Sequence, residues 1–168
     1  LTPKPNIEGA RVEDLSVQKS DFGSAIPKVW GRARLQGNVI WSPPIKETKK
    51  KKKQGKGGGG GTTTTYKYTG NFAVLVCEGA VKRIEKIYLN NILVYSNSFE
   101  STPKSKAASD FFLDENLEIY YGTSTQNPSP TIQSYEGSNI PAFRGYCYLV
   151  FRDLPLEQFG NRVPRVEV

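Results

Sequence analysis

Residues 72–77 read FAVLVC, and residues 146–151 read YCYLVF. A strand with one face in water alternates apolar and polar residues. A run that is apolar at every position describes a strand buried on both faces. Glu78-Gly79 closes the first run with a turn signal. The two runs therefore predict the core strands of a mainly β fold, and the elements around them follow from their turns and periods. VKRIEKIYLN (81–90) sets Val81, Ile84 and Ile87 three apart, as in one helical turn, yet Ile87 and Leu89 also alternate about Tyr88, as in a strand. Both readings stay open at this level. Asn90-Asn91 predicts a turn before ILVY (92–95), and Leu117–Tyr121 reads as a further strand. TIQSYEG (131–137) reads as a helical turn ending at Gly137. Upstream, SAIPKVWGRARLQGNVIW (24–41) predicts two strands joined by a hairpin-like turn at Gln36-Gly37-Asn38, with Trp30 and Trp41 as core or cross-strand packing residues.

The chain has 168 residues, 37% of them hydrophobic, with nine Tyr and eight Phe, which is enough for one ordinary domain with its own core. Sixteen Gly and eleven Pro favour many short elements joined by turns. There is no Met, so the chain reads as part of a longer polypeptide. No apolar stretch reaches the length of a membrane span. Net charge is +7 with a pI near 9.4, which points to an acidic partner.

Much of that charge sits in KETKKKKKQGKGGGGGTTTTY (46–66). Consecutive Lys, Gly and Thr bury no apolar surface, so residues 46–65 read as a flexible, solvated loop, a long β-hairpin excursion kept soluble by its own repulsion. Its functional reading is contact with nucleic acid or another polyanion through Lys49, Lys50, Lys51, Lys52, Lys53 and Lys56. A phosphate-cradling loop is not implied, because GKGGGGGTTTT lacks the Gly-Lys-Ser/Thr ending that leads into a helix. Residues 96–140 are more polar and read as an insertion or a small lobe.

Catalytic chemistry is not signalled. With no His, the commonest general base and metal ligand is missing, and Ser has no imidazole partner. Glu13-Asp14, Asp114-Glu115 and Glu118 are sequence neighbours rather than a pair set across a cleft. Cys77 and Cys147 lie inside the two apolar runs and read as buried thiols. The expectation is a protein that is not an enzyme, with no cofactor and no metal. FGNRVP (159–164) reads as a structural corner: Gly160 permits positive φ, and Asn161 and Arg162 point back at backbone or carboxylate groups.

The closing stretch PAFRGYCYLVFRDLPLEQFGNRVPRVEV (141–168) resembles a signature of phage tail hub proteins, the large tail-tip proteins of phages, prophages and gene transfer agents, known as host-specificity or TIM-barrel-like tail proteins. Three further stretches agree in order. They are DFGSAIPKVWGRARLQGNVIW, YKYTGNFAVLVCEGAVKRIEKIYLNNILVY with its Cys-Glu-Gly, and IYYGTSTQNPSPTIQSYEG with its Tyr-x-Gly-x-x-x-Gln-x-Pro-x-Pro. The resemblance implies a tail-tube-like β-barrel hub domain over residues 1–168, without the glycosidase-like region of the large relatives. It implies a structural role in the virion: a hub ring, a homotrimer in the full protein, that joins the tail tube or distal tail proteins to tip or fibre proteins. DNA would pass through its lumen without sequence-specific binding. Assembly would take place in the host cytoplasm. The alternative is a basic nucleic-acid-binding module acting through the Lys run.

Overall fold

The structure, a computed structural model, describes residues 25–53, 62–97 and 115–168, together with the backbone of a short strand, β1 (Ile7–Glu8). The remaining elements are β2 (Asn38–Trp41), β3 (Lys46–Lys53), β4 (Thr62–Glu78), β5 (Lys86–Leu89), β6 (Ile92–Ser96), β7 (Leu117–Tyr121), α1 (Pro130–Glu136), β8 (Tyr146–Pro155) and β9 (Val166–Glu167). β4 organises them. One of its edges takes β3 along Thr62–Thr69 and then β2 along Ala73–Leu75, both antiparallel. The other edge takes β1 in parallel at Thr63-Thr64 and then β8 antiparallel from Thr69 to Glu78. β7 adds to the far side of β8.

A second sheet has the order β6-β5-β9. Leu35–Gly37 pairs with the free edge of β9, with Leu35 and Val168 exchanging backbone bonds of 2.7 and 2.8 Å and Gly37 N–H donating to Val166 O at 2.9 Å. The same stretch runs straight on into β2 and the large sheet, so one extended segment belongs to both. The pairing path is therefore β7-β8-β4-β2, then Leu35–Gly37-β9-β5-β6. Among the described residues this path stays open, with β6 and β7 as its edges, and the closed barrel implied by the resemblance is not formed by them.

Two cores explain the uninterrupted apolar runs. On one face of the large sheet, Phe72, Val74, Val76, Leu149 and Phe151 pack against Ile87, Leu89, Tyr95 and Val166 of the small sheet. On the opposite face, Ala73, Tyr148 and Val150 pack with Ile132 of α1 and with half-buried Trp41 and Phe143. The two-sided burial predicted from the sequence is thus met by two different covers. Phe72 stacks on Phe151 with ring centroids 4.6 Å apart, and Tyr148 stacks on Tyr120 at 4.3 Å. A bulge at Val76 puts Val76 and Cys77 into the same core, with Cys77 directly opposite Cys147. Both thiols are free and buried, as read from the sequence.

Four sequence expectations are corrected. The segment 25–37 is not the first arm of a hairpin: it has isolated bridges to Glu78 and Glu167, because its hydrogen-bonding partner is the far end of the chain rather than β2. Trp30 accordingly stands 81% exposed, while Trp41 packs as expected. Over 46–65 the β-hairpin excursion read from the sequence is present, but as strand at 46–53 and 62–65 rather than as a flexible loop, because Thr62–Thr69, rich in β-branched and aromatic residues, supplies a ladder for the lysines. Residues 54–61 of that loop, including Lys56, lie outside the described residues. The polar stretch 96–140 is not a separate lobe where it is described: Leu117, Ile119 and Tyr121 face the main core, and α1 covers the second one. The ambiguous VKRIEKIYLN resolves as strand β5, and Asn90 and Asn91 turn with φ of 48° and 67°.

Two outcomes follow for solution studies. Phe151→Ala removes a fully buried stacked ring and costs about 3–5 kcal/mol in urea unfolding, whereas Lys51→Ala stays within about 0.5 kcal/mol. Burial pushes the Cys147 thiol from its ordinary 9.0 up to about 12, first through desolvation and then through Cys77. Above pH 9 the unfolded chain releases this proton and the folded chain keeps it, so stability falls as pH rises from 9 towards 12. A thiol reagent leaves both cysteines untouched in the native state at pH 8 and modifies both in denaturant, as absorbance titration reports.

Candidate polyanion interface and corner

The lysine strand presents ammonium groups on both faces of a two-stranded ladder. The register places Lys49 opposite Tyr66 and Lys51 opposite Thr64 on one face, and Lys46 opposite Thr69, Lys50 opposite Thr65 and Lys52 opposite Thr63 on the other. Lys67, opposite Thr48, adds to the second face. Lys46, Lys49, Lys50, Lys51 and Lys52 are all exposed. Same-face neighbours are two residues apart, roughly 7 Å along the strand and inside the screening length of about 8–10 Å, so salt screens their repulsion only in part. Two local contacts help the ladder to carry the charge. The Lys49 ammonium sits 5.3 Å from the Tyr66 ring centre, and the Tyr68 hydroxyl donates to the Glu47 carboxylate at 3.0 Å, fixing the base of the hairpin. The predicted Lys49–Lys53 group is thus brought onto one strand, a row on each face, with Lys53 at its end in register with Thr62. Such a row suits a backbone of phosphates read as charge, without base recognition.

The corner forms at a single 3-10 turn, Glu157–Phe159. Gly160 takes φ 68° and ψ 29°, the left-handed conformation expected from the sequence. Asn161 follows with φ 57°, and its N–H donates to Leu156 O at 2.9 Å while Gly160 N–H donates to Glu157 O at 3.3 Å. A Cβ at Gly160 would meet nothing within 4 Å, so the constraint is backbone conformation and not space. The clamp comes from these backbone bonds. Arg162 is exposed and makes no side-chain hydrogen bond or ion pair with the described residues. The chain beyond the corner does not leave the body: Val163, Pro164 and Val166 are buried, and β9 is paired on both edges.

Sequence reading missed the polar groups that hold the second core. Glu118 sits among sequence-neighbouring acids, but its carboxylate accepts from the Tyr120 hydroxyl at 2.9 Å, from Ser129 at 2.7 Å and from Thr131, with Arg152 at 3.8 Å. Ser129 also caps α1 by accepting from Ile132 N–H at 3.2 Å. A seven-residue helix is too short to hold itself in water, so this docking, with Trp41 Nε1 donating to Glu136 at 2.9 Å, fixes it in place. Gln126 receives Gly122 N–H at 2.9 Å on its side-chain oxygen and donates from its nitrogen to Ala142 O and Phe143 O at 2.9 and 2.7 Å. The signal for this group was the Tyr-x-Gly-x-x-x-Gln-x-Pro-x-Pro spacing: Tyr120 stacks, Gln126 ties loops, and Pro130 opens the helix.

Gly79, Gly122 and Gly145 meet at one end of the large sheet. Gly79 N–H donates to Gly145 O at 2.7 Å, and Gly145 N–H to Gly122 O at 3.2 Å. A Cβ at Gly122 would fall 2.4 Å from Gly79 O, so only glycine allows this approach. Among the described residues no group of three His, Cys, Asp or Glu is placed to hold a metal, and no helix is long and apolar enough to cross a membrane.

Gly160→Val forces a β-branched residue into the left-handed region and costs at least about 1–2 kcal/mol in urea unfolding, while Arg162→Lys stays within about 0.5 kcal/mol. The reverse order of effects would remove the corner's structural role.

No family model matches the chain, and no curated protein matches it. Among solved structures it is similar to a chain from the virion of a native gene transfer agent particle, with a TM-score of 0.57 and 26% identity over 97% of its own length. It spans 30% of that chain.

Proposed function

We propose that the chain is a structural part of a phage-like tail, contributing to the hub ring that joins the tail tube to the tip and lets DNA pass. The observation that carries this reading is the likeness to a gene transfer agent virion chain over 97% of the sequence, in the same β-rich fold. The quoted sequence stretches support the hub assignment through the roles they take in the fold. Cys-Glu-Gly and Tyr-x-Gly contribute Gly79 and Gly122 to the glycine contact, and FRGYCY contributes Gly145 and the central β8. In this reading the full protein assembles as a homotrimer. Its partners are tail tube or distal tail proteins on one side and tip or fibre proteins on the other. It works in the virion after assembly in the host cytoplasm. The role is mechanical and not enzymatic, and it needs no cofactor. Two of the half-buried carboxylates, Glu118 and Glu85, are engaged in structural hydrogen bonds and ion pairs. DNA contact is by charge alone.

Electron microscopy of particles carrying the full-length protein tests this directly. The expected density is a ring at the junction of tube and tip, built from this domain. Its placement elsewhere in the particle, or its absence from purified particles, overturns the reading.

The exposed lysine row favours one second reading, a polyanion-binding module. Lys50, Lys51 and Lys52 together replaced by Ala reduce the slope of log affinity for single-stranded DNA against log salt by about 2, at roughly 0.7 for each phosphate that is no longer neutralised. Filter binding across a salt series measures it, and an unchanged slope removes the row from DNA contact.

A further inference from the structure

A groove of about 960 Å³ runs between residues 29–35 and residues 80–88, at the junction of the two sheets. It lies apart from the lysine hairpin and from the corner. Its walls carry five cationic side chains, Arg32, Arg34, Lys82, Arg83 and Lys86, against one carboxylate, Glu85. Glu85 Oε1 receives Arg32 Nη2 at 3.0 Å and Arg83 Nη2 at 2.6 Å. A single carboxylate thus holds two guanidiniums in place and neutralises one. The Arg83 hydrogen bond is the main reason that Glu85 stays below the usual carboxylate range. The same sharing recurs beside it: Glu167 takes Arg34 and also Arg165, the latter at 2.7 Å. The Arg34 guanidinium carbon lies over the Tyr88 ring, 4.2 Å from its centre. Lys82 and Lys86 have no ion-pair partner among the described residues. Each guanidinium offers five N–H donors, so held arginines keep donors for an incoming carboxylate, and the Arg32 side chain is 76% exposed.

The floor is aliphatic. Val29, Leu35, Val76, Val81, Ile84 and Val168 line it between the cationic walls. We propose that this groove is a docking site for an extended, acidic and aliphatic-rich polypeptide segment of a partner protein, whose carboxylates meet the arginine pairs while its apolar side chains cover the floor. Charge complementarity selects an anionic occupant. The floor selects a polypeptide over a nucleic acid. Single-stranded nucleic acid is held by successive aromatic faces on which bases stack, whereas here Tyr88, the one aromatic in the lining, has a face already covered by Arg34, and Trp30 is the single further ring nearby. Trp30, flanked in sequence by the lining residues Val29 and Gly31, is exposed and offers an aromatic side chain to a bound segment. The inference rests on the groove's chemistry and holds whichever particle the chain serves.

The probe is a short fluorescein-labelled peptide alternating Glu and Val, titrated by anisotropy against the 168-residue chain, beside a labelled oligothymidylate of equal charge. The peptide is expected to bind more tightly than the oligonucleotide and to change the Trp30 emission, read in a Trp41→Phe background. Lys82→Ala with Lys86→Ala, and separately Arg32→Ala, weaken the peptide by about tenfold, the scale of one or two charge-assisted hydrogen bonds. The Lys50, Lys51 and Lys52 to Ala variant leaves peptide affinity within about twofold, which separates the groove from general attraction to a basic protein. Thermal melts of each variant confirm folding, and Lys82→Glu, at an exposed position, repeats the test without touching an ion pair. No peptide binding, tighter oligonucleotide binding, or an equal loss in the hairpin variant each overturns the proposal.

Discussion

Everything in this molecule leans on β4 having no free side. Both its edges are paired, by β3 and β2 along one and by β1 and β8 along the other, and both faces of its central stretch are covered. That central stretch must satisfy its backbone entirely through neighbours, since water does not reach it. That requirement recruits segments from distant parts of the sequence and leaves little latitude in how they arrive. The bulges absorb the mismatch that remains. Asp153 takes φ 42° as the extra residue on β8, and its N–H donates to the buried Asn71 side chain at 2.8 Å, while Asn71 also donates to the Tyr135 hydroxyl at 2.9 Å. One irregularity in the ladder is thereby tied to the helix on the second face.

What could be read from sequence was what is decided locally or by solvent. FAVLVC and YCYLVF declare two-sided burial by having no polar position, and the structure supplies a different cover for each face. TIQSYEG ends at Gly137, whose N–H bonds back to Gln133 O, as its composition indicated. Gly160 shows its left-handed conformation because little but glycine sits there comfortably. The failures share one cause. Whether residues 25–37 form a hairpin arm depends on where a partner edge lies, and that edge is β9, at the other end of the chain. The lysine strand is likewise decided by Thr62–Thr69, across a run with no pattern of its own. Trp30 has the composition of a core residue and the address of a rim residue, which no periodicity distinguishes.

The glycine contact explains why weak signatures carry more weight together. Gly79, Gly122 and Gly145 belong to three separate motifs, yet each is bonded to or closely approached by the other two. Their co-occurrence in one sequence therefore specifies a single arrangement of β4, β7 and β8 ends. The charged residues contribute differently. Glu85 and Glu167 each gather two arginines, so these two acids pin cations at chosen positions and neutralise only half of the charge that they hold.

β9 has only two residues, but it is held on both edges, by β5 on one and by Leu35–Gly37 on the other. Tension applied at Val168 runs along that strand and loads both rows of bonds in shear, so that they must yield together rather than peel one at a time. Through Gly37 and β2 the load passes into β4 and the large sheet. The corner at Gly160 lies behind this clamp, shielded from pull. A pulled molecule would thus transmit force through its body before any part of it unravelled.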